Sequence, residues 1–229
     1  MRQASAVQFA SWLALEPVPF VPELVLHQAD DLHALWEEVT ALTGQESPPY
    51  WAFPWLGGQA VARYLLDNPA VVAGLRVLDL ATGSGLVALA ARRAGAAYVL
   101  ANDIDPIAGE VVLANAAAND LDVTWWCADL LDAPVPDVDV LLAGDILYDR
   151  DLAPRVLRWL QAFEGPVYVG DPGRDYLPRQ GLTEVACYEI PTTRELEGVT
   201  LKRTRVFTLS AVDTAQVLSG RYRRVAAAE

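Results

Sequence analysis

Lysine is almost missing from this sequence. Lys202 is the one lysine among 17 basic residues, set against 30 acidic ones, so the formal charge at pH 7 is −13. A nucleic-acid backbone needs a basic face, and this composition argues against one, favouring a basic protein or a cationic side chain as partner. Cysteine is as scarce. Cys127 and Cys187 stand apart, without C-x-x-C spacing or a nearby histidine, so neither a disulfide framework nor a zinc site is expected. A reducing, cytoplasmic setting is the matching expectation. The two histidines, His27 and His33, have no acid or nucleophile placed with them, so His27 reads as structural and His33 as a surface residue. Long apolar runs are missing too. The patch from Phe9 to Leu15 is broken by Ser11, too short to cross a bilayer, and without a signal-peptide or transit-peptide pattern. No membrane association, internal repeat or low-complexity tract is expected.

What is present is apolar and α/β in pattern. With 229 residues and 53% hydrophobic composition, the chain can bury one large core. Its organising stretch is Val77-Leu78-Asp79-Leu80-Ala81-Thr82-Gly83-Ser84-Gly85, followed by the Ala-rich run Leu86 to Arg93. An apolar run ending in an acid, two glycines and a helical segment is the layout of a strand, a ligand-cradling turn and a helix. Gly83 and Gly85 let the backbone take positive φ and bring its amides close to a guest at the helix N-terminus. The same glycines fit the G-x-G-x-x-A dinucleotide fingerprint, so alone they do not separate a nicotinamide cofactor from S-adenosylmethionine. Asp79 tilts the reading, because a carboxylate there can receive the amino group of a methionine moiety and would repel a pyrophosphate. An ordinary βα turn with Asp79 capping the helix is the plainer alternative.

The chain's order supplies the rest. Ala4 to Leu15 reads as a short helix, and the proline-punctuated Glu16 to Pro22 as an extended arm outside the core. Asp30 or Asp31 caps a helix to about Leu42, with Leu32, Leu35, Trp36, Val39 and Leu42 on one face and Gly44 closing it. Pro48 to Gln59 holds a dense aromatic group, either a plug on the core or a wall for a flat or cationic ligand, which would bring Trp51 and Trp55 to the glycine turn. A helix then spans Gln59 to Leu66. Ala97 to Ala101 is a second buried strand ending near Asp103, 18 residues after Gly85, where an acid binds ribose hydroxyls in nucleotide folds. Asp105-Pro106 starts a helix to about Asn119. A third strand, Val123 to Trp126, leads to Asp129, an acid placed to accept an adenine amine or else a plain loop residue. A fourth, Asp137 to Gly144, delivers Asp145 and Tyr148. In an open parallel sheet these strand ends converge on one crevice. A helix from about Leu152 to Phe163, a strand from Val167 to Gly170 ending in Asp171 and Arg174, and a closing hairpin of Thr183 to Ile190 and Val199 to Leu209 complete the pattern.

The acid-glycine turn, Asp103 and Asp129 resemble class I S-adenosylmethionine-dependent methyltransferases, which implies a Rossmann-like seven-stranded, mostly parallel sheet with helices on both faces. More narrowly, Pro49-Tyr50-Trp51-Ala52, Trp55 to Ala60, Arg63 to Pro69, Ala101 to Ala108 and Gly170 to Arg174 resemble the electron transfer flavoprotein β-subunit lysine methyltransferases. The blocks fall within residues 48–209, taken as the methyltransferase domain; residues 1–47 form an N-terminal extension and 210–229 a helix or loose tail. Ala81 replaces a family glycine, which keeps the turn and sets it slightly further from the cofactor. The resemblance implies cofactor contacts from Trp51, Trp55, Asp79, Ala81, Gly83, Gly85, Asp103, Ile104, Asp129 and Asp145. It places the D-x-x-Y element, Asp145 and Tyr148, beside the methyl group and the incoming lysine. Asp145 would hold the ammonium, being a poor base unless burial raises its pKa. Asp171 and Arg174 would shape the substrate channel or form an internal ion pair. A monomer acting on a lysine-bearing protein is expected; a small-molecule (nicotinamide-type) N-methyltransferase and an inactive binding protein remain the alternatives.

Overall fold

The computed structural model describes residues 6–209, so the expected tail of Ser210 to Glu229 lies outside the described residues. Its centre is a seven-stranded sheet built from β3 (Arg76–Leu80), β4 (Tyr98–Asp103), β5 (Thr124–Cys127), β6 (Val140–Gly144), β7 (Val167–Asp171), β8 (Leu182–Pro191) and β9 (Leu201–Leu209). The spatial order is β5-β4-β3-β6-β7-β9-β8, parallel from β5 to β7 and antiparallel in the last two. Ahead of this sheet, β1 (Leu13–Val18) and β2 (Val21–Ala29) pair as a separate antiparallel ribbon. The chain runs outward from β3 through β4 to β5, then returns to β6 on the other side of β3, which makes the carboxyl end of β3 the switch point where such sheets bind ligands.

Strand residues alternate between two apolar layers, as a sheet covered on both faces requires. Val77, Val99, Ala101, Val140 and Leu142 point to one side, where they pack under α2 (Leu56–Asp67), α3 (Leu86–Arg93) and α4 (Pro106–Ala118). Leu78, Leu80, Leu100, Leu141 and Ala143 point to the other, covered by α5 (Leu152–Gln161) and the loop around Leu130. The N-terminal helix α1 (Leu32–Thr43) is capped by Asp31, whose side chain accepts the Ala34 N–H, and closed by Gly44 in the left-handed conformation. Leu35 and Val39 are buried as its pattern predicts, whereas Leu42 is exposed.

Two expectations change. The helix expected over Ala4 to Leu15 is a 3-10 helix over Ala6–Trp12 that gives way to β1 at Leu13, and the proline-rich stretch after it is no arm. Val18, Val21, Leu24 and Leu26 are fully buried in the main core, so the β1–β2 ribbon is part of it. Its hydrogen bonds explain why. Asn115 on α4 accepts from the His27 N–H and meets His27 Nδ1, while Asn119 accepts from Val25 N–H and donates to Val25 O. The second change is at α2, which starts at Leu56, not Gln59, and carries Gly57 and Gly58 in its first turn. A Cβ on Gly57 would lie 2.5 Å from the Asp145 nitrogen, and one on Gly144 would lie 2.7 Å from the Gly58 Cα. Only glycine permits this crossing of α2 over the ends of β6 and β7.

Candidate active site

At the carboxyl ends of β3, β4 and β6 a cavity of about 680 Å³ opens, within the size range of a small-molecule site. Asp79, penultimate in β3, is almost fully buried there. Its Oδ2 accepts the Thr82 hydroxyl at 2.5 Å and the Ala88 N–H at 3.0 Å, tying the glycine turn to the first turn of α3. The capping alternative is thus realised, yet the same residue also lines the cavity. Burial, with the Asp103 charge adding to it, pushes the Asp79 carboxyl up to about 7.

The turn itself is left-handed at three places: Ala81 (φ 53°), Gly83 (φ 53°) and Gly85 (φ 84°). Ala81 therefore carries a strain that the family's glycine would not. Gly85 packs its Cα face against Val112 and does not line the cavity. The Gly83 N–H donates to Asp103 Oδ2, and the Asp105 N–H to Asp103 Oδ1, so the acid at the tip of β4 is held by two amides. Burial still raises its pKa from the ordinary carboxylate value. Beside it Ile104 is 71% exposed, an apolar side chain standing free at the cavity wall. Asp129 lines the opposite wall with its Oδ1 taken by the Leu131 N–H and its Oδ2 by Arg155.

The aromatic loop divides between the two roles left open for it. Trp51 is buried, packs on Phe9 and donates from Nε1 to Asp105 Oδ2, which makes it a core plug with one edge on the cavity. Trp55 joins Tyr50, Phe53 and Tyr148 in a chain of ring contacts with centroids 5.3 to 5.7 Å apart, all four lining the cavity. Tyr148 is 40% exposed, and its partial burial beside Tyr50 raises its pKa further from neutrality, so it acts there as a neutral phenol.

Asp145 follows β6 with φ 58°, a left-handed backbone pinned by its N–H to the Gly170 carbonyl. The Gly57 N–H, at the start of α2, donates to its Oδ2 at 3.1 Å. Arg174 grips the same carboxylate from Nε to Oδ1 at 2.7 Å and from Nη2 to Oδ2 at 3.2 Å. The internal ion pair expected between Asp171 and Arg174 is not formed; the guanidinium pairs with Asp145 instead. Asp171 accepts only backbone N–H groups, those of Gly173 and Arg174, and lies outside the cavity lining; burial lifts its carboxyl to about 6. Arg174 has a second carboxylate partner that no sequence signal marked. Glu197, at the end of the four-residue α6 (Arg194–Glu197), accepts from its Nη1 and Nη2.

Among the described residues no group of histidine, cysteine or carboxylate side chains is arranged to hold a metal ion. The cavity instead gathers an acid at the end of each of β3, β4 and β6, a glycine turn leading into a helix, and a partly apolar aromatic mouth. That donor set fits a ligand with an amino group, a ribose and a cationic centre.

Comparison with known proteins points the same way. The family described as ribosomal protein L11 methyltransferase (PrmA) matches residues 63–161. The electron transfer flavoprotein beta subunit lysine methyltransferase of Mus musculus is 44% identical over 165 residues, covering 67% of this chain and 65% of that protein. The Caenorhabditis elegans homolog is 31% identical over 175 residues, covering 67% and 70%. The match thus spans about 65% of the length of the mouse relative. Among solved structures, a Thermoplasma acidophilum protein aligns with TM-score 0.54 and 19% identity over 66% of this chain and 88% of its own. The magnesium protoporphyrin IX methyltransferase of Synechocystis aligns with TM-score 0.50 and 16% identity over 67% and 82%. Both alignments show the fold. The sequence identities, reaching 70% coverage of the nematode protein, show that the chain belongs to the family of the electron transfer flavoprotein beta subunit lysine methyltransferases.

Proposed function

We propose that the chain is an S-adenosylmethionine-dependent protein-lysine N-methyltransferase whose substrate is the β subunit of electron transfer flavoprotein. The observation that carries this reading is Asp145, a buried carboxylate at the end of β6, lining the same cavity as Asp103 and the Asp79 turn. S-adenosylmethionine, when bound, supplies a methyl group on a cationic sulfur. Asp79 would hold its amino group, Asp103 its ribose hydroxyls, and the Gly83 turn would let the backbone approach it.

The remaining residues serve the incoming lysine. The lysine must release its proton to solvent and shed its water before it can act as a nucleophile, and it must be aligned with the group it attacks. Asp145 Oδ1 receives one bond from Arg174 and keeps lone-pair capacity for a second donor, so it can orient an amine. With both oxygens already gripped, its geometry is fixed for orienting an amine. The aromatic mouth of Tyr50, Phe53, Trp55 and Tyr148 excludes water and favours a cation by its ring faces. The formal charge of −13 suits a lysine-bearing partner.

Asp145→Asn tests the assignment, because amide for carboxylate keeps the shape and removes the charge that steers the ammonium. Calorimetric affinity for S-adenosylmethionine stays near wild type, while turnover falls by roughly a hundredfold or more, the scale of a lost positioning group. Equal loss of both would mean that Asp145 belongs to the cofactor site instead.

A further inference from the structure

Glu197 is a carboxylate with a buried side chain at the cavity wall that the transfer site does not account for. It ends α6, in the connection between β8 and β9, more than fifty positions beyond Asp145 in the chain. Its side chain is 5% exposed and that of Asp145 4%. Burying a carboxylate is costly unless it is paired, and here two carboxylates share one guanidinium. Arg174 donates from Nε and Nη2 to Asp145, at 2.7 and 3.2 Å, and from Nη1 and Nη2 to Glu197, at 3.2 and 2.8 Å. Lys202 Nζ stands 3.5 Å from Glu197 Oε2 and supplies a second positive charge. Two acids and two bases therefore form one connected network from β9 to the cavity.

The guanidinium is planar and its donors are fixed in a fork, so gripping one carboxylate on one edge sets the direction of the other edge. Asp145 sits on a left-handed backbone just past the end of its strand, and among the described residues its side chain is otherwise held only by the Gly57 N–H. We propose that Glu197 is a positioning residue for methyl transfer: by fixing Arg174 it fixes Asp145 Oδ1 toward the substrate amine. This rests on the assignment of Asp145 above. It also gives the closing hairpin a part in the site, since both Leu196 and Glu197 line the cavity. Without Glu197 one edge of Arg174 loses its partners, and the guanidinium turns toward solvent with Asp145 following.

The test is a double-mutant cycle of Glu197→Gln and Asp145→Asn in the full chain, read as kcat and KM for methylation of recombinant electron transfer flavoprotein. Glu197→Gln lowers kcat by about tenfold to about a hundredfold, the effect of misplacing a group by a fraction of its length, with little change in cofactor affinity. In the Asp145→Asn background the same substitution has almost no further effect. A purely structural glutamate would cost the same in both backgrounds, and that additivity overturns the proposal. A second readout needs no activity. The Arg174 Nε–H resonance in a nitrogen-15 spectrum, protected by Asp145 in the wild type, broadens or exchanges rapidly in Glu197→Gln. Its persistence would overturn the proposal, whereas its loss in a protein that fails to methylate the flavoprotein would support the linkage and refute the substrate.

Discussion

At the scale of single residues, the acids at the strand ends were legible because parallel-sheet topology fixes where they go. Asp79, Asp103 and Asp145 end strands β3, β4 and β6, and the crevice lies off those ends whatever the details of packing. Their electrostatics depend on burial, which a sequence does not display. Asp79 in the free protein keeps its proton up to about 7, well above its ordinary 3.8. The unfolded chain has lost that proton by then, so this group's contribution to stability falls as pH rises from 3.8 toward about 7 and is constant above it. A bound amino group favours the ionised carboxylate. Affinity for S-adenosylmethionine therefore rises with pH up to about 7 and levels off beyond, and Asp79→Asn removes that dependence; calorimetry across the range reads both. Ala81 makes a second prediction. At φ 53° it holds a backbone that costs an L-residue about 1 kcal/mol relative to glycine. Ala81→Gly should raise thermal stability by about that amount, roughly 2 to 4 °C in Tm for a chain of this length, and a lower Tm would show the turn to be unstrained.

At the scale of elements, the strands and helices of the central sheet followed their apolar patterns, and the misreadings have specific causes. Pro17, Pro19 and Pro22 suggested an arm, since proline cannot donate to a ladder. In a two-stranded ribbon both strands are edges, where the missing N–H costs nothing, so Pro17 and Pro22 sit within β1 and β2. Gly57 and Gly58 argued against a helix on propensity, yet the approach of α2 to Gly144 and Gly170 demands them. Glu197 had no signal at all, being one acid on a four-residue helix. The ribbon has a use beyond its own packing. Asn115, fully buried, accepts from the His27 N–H and donates to the Ser84 carbonyl at 2.8 Å, linking β2 through α4 to the glycine turn. Asn115→Leu leaves those groups unpaired and should cost roughly 2 to 4 kcal/mol in denaturant unfolding while weakening cofactor binding. A loss of stability without any loss of affinity would separate the ribbon from the turn.

For the whole molecule, the net charge and the aromatic mouth bear on what docks rather than on how the chain folds. The cavity is built on one side by the β3–α3 turn and on the other by Leu196 and Glu197 of the closing hairpin, so an early and a late part of the sequence share its wall. If the proposed lysine-bearing partner is drawn by the formal charge of −13, raising the salt concentration should slow association more than chemistry. The most direct measurement is incubation of the purified protein with labelled S-adenosylmethionine and recombinant electron transfer flavoprotein, followed by intact-mass analysis of the β subunit. Mass gains in whole methyl increments on lysine are the expected result. An unchanged mass, with calorimetric binding of the cofactor intact, would contradict the substrate assignment.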